Sequence, residues 1–553
     1  MAAALRADLV LTGGRIWTGI ERRRPEDTVV VRDGRIVAIG PYDELAWAVG
    51  PRTRVIRLEG RLLLPAFHDA HVHPIAAGLA LDRCDLSGAA DLTACLARVR
   101  DWSVTHPEAA WLLGEGWTTA SFPGGIPRAV DLDTVVADRP TLLRSADGQG
   151  AWVNSAALEV AGIRADTPDP AGGRIERTAG GEPLGMLLGR AVALVTELAP
   201  VPSASELEGA LLRGQAHLHA LGVGGWHDAE VGAAEDSAYL ALDGRGELHG
   251  QVSLSMRWDD RRWLEQIPEL HERRLAIGEH SEGRIRAGFV KLHQDGVVET
   301  ATAALLDPYL DARGRTTQHR GDSIHAPEVL REIVVALDRE RLGVQVHAVG
   351  DRAVRETLDA LTVARKVNGP RDARHTLAHV GLVHRTDLVR FKALGVVASV
   401  QPRWAVDDVR MRTAIRPLLG LERTTGMFPF GSLARSKASI AMGSDWPVTT
   451  ADPRAILDAA LTRLDPDVRG ARPLGAVSER LKPEIALRAY TRGSSYAAWT
   501  DDVSGTIEVG KSADLVLFDR DPLGTPGTSW RDATVLLTMV DGRIVHEAPG
   551  LDG

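Results

Sequence analysis

Two histidines one residue apart, His71 and His73, follow an apolar run and could bind one metal ion. In an extended chain, side chains two residues apart point the same way, so both imidazoles can reach one cation while Val72 packs behind them. A second pair with this spacing, His217 and His219, lies in a stretch with a helical pattern. Positions i and i+2 of a helix do not face each other, so we interpret that pair as structural.

Further ligand-type residues stand at the ends of later strand-like runs. His347 and His379 each end such a run, and Asp445 follows another in a Gly-Ser-Asp turn. Lys291 lies within an otherwise apolar run. Each of these residues alone could be structural, and Asp445 could be a turn or helix-capping residue. The carboxyl ends of the strands of a parallel barrel meet at one rim, so their joint occurrence predicts a common site there.

Short apolar runs alternate with amphipathic helical stretches, which predicts βα units around a parallel sheet. Ten runs qualify as strands, two more than a barrel needs. The runs at 111–114 and 141–144 lie in a region rich in Gly, Pro and Asp, which we assign to an insertion. The eight assigned to the barrel are 62–66, 223–226, 252–256, 287–292, 344–346, 376–378, 396–400 and 440–442. The sequence thus predicts an α/β protein with a (β/α)8 TIM-like barrel over residues 63–502 and an insertion at about 110–202 over the barrel mouth.

Both ends of the chain carry a β-hairpin signal. Asp33-Gly34 and Asp541-Gly542 each stand between β-branched residues, and such two-residue turns need positive φ at both positions. We predict that residues 1–62 and 503–553 form one small β-sandwich. The alternative is two unrelated β-structures.

Composition excludes several classes of protein. The 553 residues are 44% hydrophobic and 25% charged, as in ordinary globular proteins. The net charge is −9, and the sequence indicates no basic surface that would bind nucleic acid. Two cysteines do not make a disulfide framework, and no signal peptide or run of about 18 apolar residues is present. We therefore expect a cytoplasmic protein with a small-molecule substrate and no nucleic-acid or membrane partner. A homodimer is left open.

Taken together, these motifs resemble the amidohydrolase superfamily over nearly the whole chain, and more closely the branch that includes N-substituted formamide deformylases. Besides the H-x-H pair, the strand lysine, the two histidines and the G-S-D-x-P aspartate, several shorter segments support the resemblance. These are residues 147–155 (DGQGAWVNS), Lys291-x-x-x-Asp295-Gly296, 347–353 (HAVGDRA), Gln401-Pro402, 489–491 (AYT) and 505–515 (GTIEVGKSADL).

The resemblance implies a binuclear metal centre. His71, His73 and Asp445 would hold one divalent ion, His347 and His379 the other, and Lys291 would bridge them as an N6-carboxylated side chain. Zinc is the expected metal, with iron or manganese as alternatives. Burial lowers a lysine pKa and so favours the neutral amine that adds CO₂. The alternative for Lys291 is to reach solvent or to pair with Asp295. Two fallback ligands of the same strand parity are His293 and His375.

The implied reaction is hydrolysis of a C–N bond in an amide, formamide or cyclic amide of a small molecule. A metal-activated hydroxide would attack the carbonyl, and Asp445 would carry the proton to the leaving nitrogen. The same ligands also suit deamination, lactone or ester hydrolysis, or an isomerisation. A further alternative is a catalytically silent barrel that serves as a scaffold.

Substrate contacts are only faintly visible in the sequence. Several tryptophans fall near strand ends or in the insertion and could wall an apolar pocket, or could simply fill the core. Gln149 stands where the family often has histidine, and Gly189 where it often has glutamate. The candidate substrate residues are Gln149, Trp117, Trp152, Trp446 and Arg403, the last as a partner for a carboxylate, with Trp226 and Trp404 as further candidates.

Overall fold

The computed structural model describes residues 6–20, 26–146, 150–170, 172–281, 283–466, 468, 470–524 and 529–549. The chain divides into two compact units, of which one is Ala76–Ala210 and the other comprises the residues before and after that range. None of the helices in these described ranges is long and apolar enough to cross a membrane.

Eight parallel strands, each paired with the next along the chain, form the predicted (β/α)8 barrel. Two backbone hydrogen bonds connect the carboxyl ends of the first and the last strand. The amide of Asp445 donates to the carbonyl of His71 (2.7 Å), and the amide of His73 donates to the carbonyl of Trp446 (2.9 Å). These two bonds join the ends of the sheet. Barrel strands 1 to 8 are, in order, Phe67–Val72, Val223–Val231, Gln251–Arg257, Ile285–His293, Gly343–Ala348, Thr376–His379, Val397–Val400 and Ser439–Met442.

Helices follow the barrel strands, as a parallel barrel requires. Asp351–Asn368, for example, buries Val354, Leu358 and Leu361 on one face at helical spacing. The α-helices of this unit are Tyr42–Leu45, Ala233–Gly244, Ile267–His280, Pro327–Arg339, Asp351–Asn368, Leu388–Leu394, Arg416–Thr425, Phe430–Arg435, Pro453–Thr462, Pro483–Arg488 and Ser494–Ala497, and two more, Pro74–Leu81 and Ala204–Ala220, run across the boundaries between the units.

The assignment of residues 62–66 to the barrel was wrong. Leu62–Pro65 lies in the terminal sandwich, between Arg15–Ile16 and Leu515–Phe518, and barrel strand 1 is Phe67–Val72. All four residues of Leu62–Pro65 are buried. An apolar run without alternation fits any strand that is covered on both faces, so its pattern did not distinguish the two sheets.

Two sheets from the chain termini form the sandwich. Its shared core includes Leu11, Val31, Leu515 and Met539, all nearly inaccessible to solvent. Both Asp-Gly turns have the expected positive φ, for example 50° at Asp33. In sheet order, the strands are Arg35–Gly40, Thr28–Arg32, Leu9–Thr12 and Arg54–Arg57 in one sheet, and Arg15–Ile16, Leu62–Pro65, Leu515–Phe518, Val535–Val540 and Arg543–Glu547 in the other.

The unit Ala76–Ala210 is wider than the predicted insertion at about 110–202. The helix Leu92–Thr105 belongs to it because that helix buries Cys95 and Val99 in the same core as Trp117. Its sheet runs in the order Gly173–Arg177, Pro183–Gly189, Gly150–Val153, Thr141–Ser145, Leu112–Trp117 and Cys84–Asp85, and its other helices are Ala129–Asp133, Ser155–Val160 and Ala193–Thr196.

Candidate metal centre

The structure brings His71, His73 and Asp445 together. One ligand atom from each side chain lies within 4.8 Å of the others. The Nε2 atoms of both histidines are 3.5 Å from Oδ1 of Asp445. His71 and Asp445 are buried, and His73 is partly exposed. Nitrogen and carboxylate donors at these distances from one another suit a divalent transition metal.

The remaining histidines extend this cluster without a break. The ring centroid of His379 lies 4.9 Å from that of His71 and 4.5 Å from that of His347. His293 stands at the outer edge, 5.4 Å from His347 between ring centroids, and its Nε2 is 3.8 Å from a carboxylate oxygen of Glu230. The histidines of strands 1, 5 and 6 therefore meet at one rim, as the sequence predicts.

Lys291 of barrel strand 4 is 3% exposed, so most of its side chain is shielded from solvent. Among the described residues its amine makes neither an ion pair nor a hydrogen bond, which leaves the suggested pairing with Asp295 unobserved. The carboxylate of Asp295 instead accepts the backbone amides of Ala304, Val349 and Gly350. Burial lowers the pKa of Lys291, although the carboxylates of Asp445, Glu230 and Asp228 act in the opposite direction. A buried amine of this kind is closer to its neutral form than an exposed lysine.

Burial favours the neutral form of three of the candidate ligand histidines, His71, His347 and His379. It lowers the pKa of His71 and of His379 well below the usual value, and the nearby Lys291 adds to this effect. The pKa of His347 is lowered to about 3, mainly by burial. Since a metal binds the neutral imidazole, these groups need not lose a proton at neutral pH to become ligands.

Contacts behind the ligands indicate which ring nitrogen of two histidines faces the centre. Nε2 of His347 lies 3.1 Å from the carbonyl oxygen of Gly296, which leaves Nδ1 of His347 for a metal. Nδ1 of His73 lies 3.9 Å from Oδ1 of Asp228, which leaves Nε2 of His73. By contrast, Nδ1 of His71 and Nδ1 of His379 are buried without a hydrogen-bond partner in the described ranges.

Asp228 is itself held by a chain of buried side chains. Tyr239 donates to Oδ2 of Asp228 (2.9 Å), and the indole N–H of Trp226 donates to the Tyr239 hydroxyl (3.1 Å). Burial raises the pKa of Asp228 to about 7. Trp226, a candidate for the pocket wall, is therefore a buried residue behind the ligands. Sequence analysis missed Asp228, although Asp228 lies near the carboxyl end of barrel strand 2, and the candidate ligands lie at the same ends of other strands.

A second carboxylate missed by the sequence analysis, Asp69, joins strands 1 and 8. It is fully buried and accepts the backbone amides of His71 (3.1 Å) and Ser444 (3.0 Å) and the hydroxyl of Tyr490 (3.3 Å). Burial raises its pKa to about 6. Asp69 thus connects the backbone of His71 to that of Ser444, the residue before Asp445. These bonds hold the two candidate ligands His71 and Asp445 close together.

The backbone departs from ordinary geometry at two ligands. His379, Val380 and Asp445 have positive φ values of 74°, 49° and 59°. Such values are uncommon outside glycine and are a real departure for a β-branched residue such as Val380. Strained backbone of this kind clusters at functional sites, where the surrounding fold holds it in place.

The other candidate residues lie in varied surroundings. Trp117 and Trp152 are buried in the core of the unit Ala76–Ala210, where their indole N–H groups donate to the carbonyls of Leu143 and Arg128. Core packing, the alternative that the sequence left open, accounts for both side chains. Gln149 lies outside the described residues. The substrate roles proposed for these three residues stay predictions.

Trp446, Arg403 and His375 belong to the barrel unit. Trp446 is largely buried and stacks on His217 at 4.6 Å. Arg403 lies in the short 3₁₀ turn Pro402–Trp404, just after strand 7. His375 is not a ligand here, because its Nδ1 accepts the amide of Val344 (3.1 Å) and its Nε2 faces Asp338 (3.3 Å).

A (β/α)8 barrel with histidines, a lysine and an aspartate at the carboxyl ends of its strands defines a class of metal-dependent hydrolases. Comparison with known proteins agrees: a model of the amidohydrolase family matches residues 54–546. The chain belongs to the amidohydrolase family.

Several differently named proteins are similar to this chain over nearly its full length. The protein LONG AFTER FAR-RED 3 of Arabidopsis thaliana is 30% identical over 98% of this chain and 92% of its own length. The N-substituted formamide deformylase of Arthrobacter pascens is 26% identical over 98% and 99%. A crystal structure of an uncharacterized metal-dependent hydrolase from Pyrococcus furiosus has a TM-score of 0.75 and 26% identity, and covers 93% of this chain and 99% of that one. These relatives and the family match support a metal-dependent hydrolase.

Proposed function

We propose that this protein hydrolyses a C–N bond of a small amide, formamide or cyclic amide at a binuclear centre of divalent ions, with zinc as the expected metal. One observation carries the proposal: His71, His73, Lys291, His347, His379 and Asp445 converge at one rim of the barrel, and the largely buried side chain of Lys291 makes no hydrogen bond or ion pair with any described residue there. The formamide deformylase among the full-length relatives supports the choice of a C–N bond.

The donor set fits the proposed ions. His71, His73 and Asp445 would hold one ion, and His347 and His379 the other. His71 presents Nε2 towards Asp445 (3.5 Å), and Nδ1 of His379 has no hydrogen-bond partner in the described ranges, which supports a ligand role because buried polar atoms are seldom left without a partner. The Lys291 amine can add CO₂ and release a proton, which gives a carbamate with two oxygens for the bridge between the ions. Bound ions would supply a hydroxide nucleophile near neutral pH and would polarise the substrate carbonyl.

The protein's own groups would handle the protons. Asp445, 3.5 Å from both His71 and His73, is placed to accept a proton from the attacking water and to deliver it to the leaving nitrogen. Water is thus divided between the two fragments: hydroxide goes to the carbonyl carbon and the proton to the amine. Asp69 would hold the Asp445 turn against strand 1 throughout.

Two substitutions test this assignment. His71→Ala should lose metal and activity together, whereas Asp445→Asn should keep at least part of its metal and lose about 10²- to 10⁴-fold in kcat, the usual contribution of general acid–base catalysis. Metal content is measured by elemental analysis, and turnover by a screen of N-formyl, N-acyl and cyclic amides with metal-loaded protein. Full activity of Asp445→Asn on a substrate found in that screen would contradict the acid–base role.

The same screen separates the alternatives. Turnover of lactones, esters or ring amines without amide cleavage would replace C–N hydrolysis by one of those reactions on the same centre. Failure to retain metal under metal-replete preparation would favour a silent scaffold.

A further inference from the structure

The turn after barrel strand 7 contains a buried hydrogen-bond donor that no described group of the protein accepts. Trp404 is 6% exposed, and its indole N–H has no acceptor in the described part of the chain. Gln401, the first residue after the strand, is 1% exposed, and its side chain interacts with the imidazole of His379. Buried polar groups without partners cost stability and mark places where a ligand or ordered water completes the bonding.

This donor lies beside the candidate metal centre. The indole of Trp404 stacks on the imidazole of His379 with 4.7 Å between ring centroids and 9° between planes. The turn Pro402–Trp404 therefore borders the rim at which the ligands meet. A substrate held at the ions would come within reach of this turn.

Arg403, next to Trp404, is half-buried and has no ion pair with any described residue. The acids nearby are already engaged by other arginines. Glu299 pairs with Arg410 (2.8 Å), and Asp407 pairs with Arg416. A guanidinium presents five N–H groups in a planar fork that matches a carboxylate. In this segment that fork is left available for a ligand.

We infer that the natural substrate carries a carboxylate close to the bond that is cleaved, and that Arg403, aided by the indole N–H of Trp404, binds that carboxylate. This inference rests on the proposed function, because it places the substrate at the same centre. It narrows the substrate class to N-acylated amino acids and similar carboxylated amides. The carboxylate would fix the orientation of the substrate, with its acyl carbonyl at the ions.

A matched pair of probes tests the carboxylate. N-formylphenylalanine and N-formylphenethylamine differ only in that group. Equilibrium binding is measured by titration calorimetry with the metal-loaded full-length protein in an Asp445→Asn background, so that turnover does not intervene. We expect the acid to bind about 10- to 100-fold more tightly, as hydrogen bonds to a charged group would give. Arg403→Ala should abolish this preference, and Arg403→Lys should retain part of it.

A control variant and separate readouts distinguish the possible failures. Arg412→Ala removes the same charge from an exposed arginine of the same segment, which donates to the carbonyl of Asp407, and should leave the preference intact. Equal binding of the two probes, no binding of either, or an unchanged preference in Arg403→Ala would overturn the inference. Formate release is followed separately in the protein with Asp445 intact. Tight binding of the acid without cleavage of any amide would retain the carboxylate site and reject C–N hydrolysis.

Discussion

At the scale of single residues, the candidate metal ligands contact polar groups that lie behind them. Asp228 faces Nδ1 of His73 at 3.9 Å and is fixed by the Tyr239 hydroxyl. A carboxylate in this position selects the tautomer that presents Nε2 and makes the ring a better ligand. We therefore regard Asp228 as a positioning residue.

Asp228→Asn should weaken metal binding by about 10- to 100-fold, the usual effect of losing such a partner. Tyr239→Phe removes only the outer hydrogen bond and should have a smaller effect. The affinity is measured by competition with a fluorescent chelator, and the melting temperature of the metal-free protein is recorded in parallel. A purely structural role would lower that melting temperature and leave the affinity of the folded protein unchanged, which would contradict the prediction.

Gly443 shows how closely two ligand-bearing segments approach each other. A Cβ atom at this position would lie 2.6 Å from the amide nitrogen of His71 and 2.9 Å from Oδ1 of Asp69. Any larger side chain must push the Asp445 turn away from strand 1.

Gly443→Ala should lower the free energy of unfolding by about 1–3 kcal/mol, the usual cost of overpacking, and should also weaken metal binding. Gly288→Ala in barrel strand 4 is the matched control, because a Cβ atom there meets nothing within 4 Å. Chemical denaturation and metal titration compare the two variants. If both variants were equally stable and bound metal equally well, the close contact at Gly443 would not matter to the site.

At the scale of elements, the sequence could predict most of the barrel and the meeting of the six candidate ligands at one rim. Each ligand stands in or next to a short apolar run, and that pattern is local. The sequence could not show which residues form barrel strand 1. Leu62–Pro65 is apolar on both faces, so its pattern suits a strand of the sandwich as well as a strand of the barrel. Asp228 was missed because its role depends on Tyr239, 11 residues away, and on His73 of a neighbouring strand.

The contact between the terminal hairpins gives a prediction at the same scale. Asp514 accepts the Ser512 hydroxyl (2.7 Å) and the amide of Asp541 (2.8 Å). Burial and the nearby Asp541 carboxylate raise the pKa of Asp514 to about 7. The folded protein thus binds a proton here that the unfolded chain has released above its ordinary pKa of about 4. Stability from this group is present below pH 4 and is lost as the pH rises towards 7.

Asp514→Asn removes that titration, because an amide does not ionise. The free energy of unfolding of the variant should therefore rise relative to that of the parent protein as the pH is raised from about 4.5 to 7.5, by up to about 1.4 kcal/mol per pH unit, and its melting temperature should rise with it. Melting is followed at several pH values in the same metal-free buffer. A difference between variant and parent that is independent of pH would show that Asp514 is ionised in the fold at all these pH values.

At the scale of the whole molecule, bound ions would link segments that are far apart in sequence. The proposed ligands come from strands 1, 4, 5 and 6 and from the turn after strand 8, so they draw together nearly the full circumference of the barrel. An ion that binds only the folded state adds stability in proportion to the logarithm of its excess over Kd, about 2.7 kcal/mol at a hundredfold excess.

A chelator should accordingly lower the melting temperature of the metal-loaded protein, by on the order of 5 °C. His71→Ala, which lacks a ligand, should show little shift in the same titration, and an equal shift would mean that the chelator acts elsewhere. Hydrogen exchange can localise the effect. Protection of backbone amides should fall at the carboxyl ends of the barrel strands. The core around Trp117 and Trp152 in the unit Ala76–Ala210 should keep its protection. That unit has its own sheet and its own buried cluster, and it provides none of the six candidate ligands.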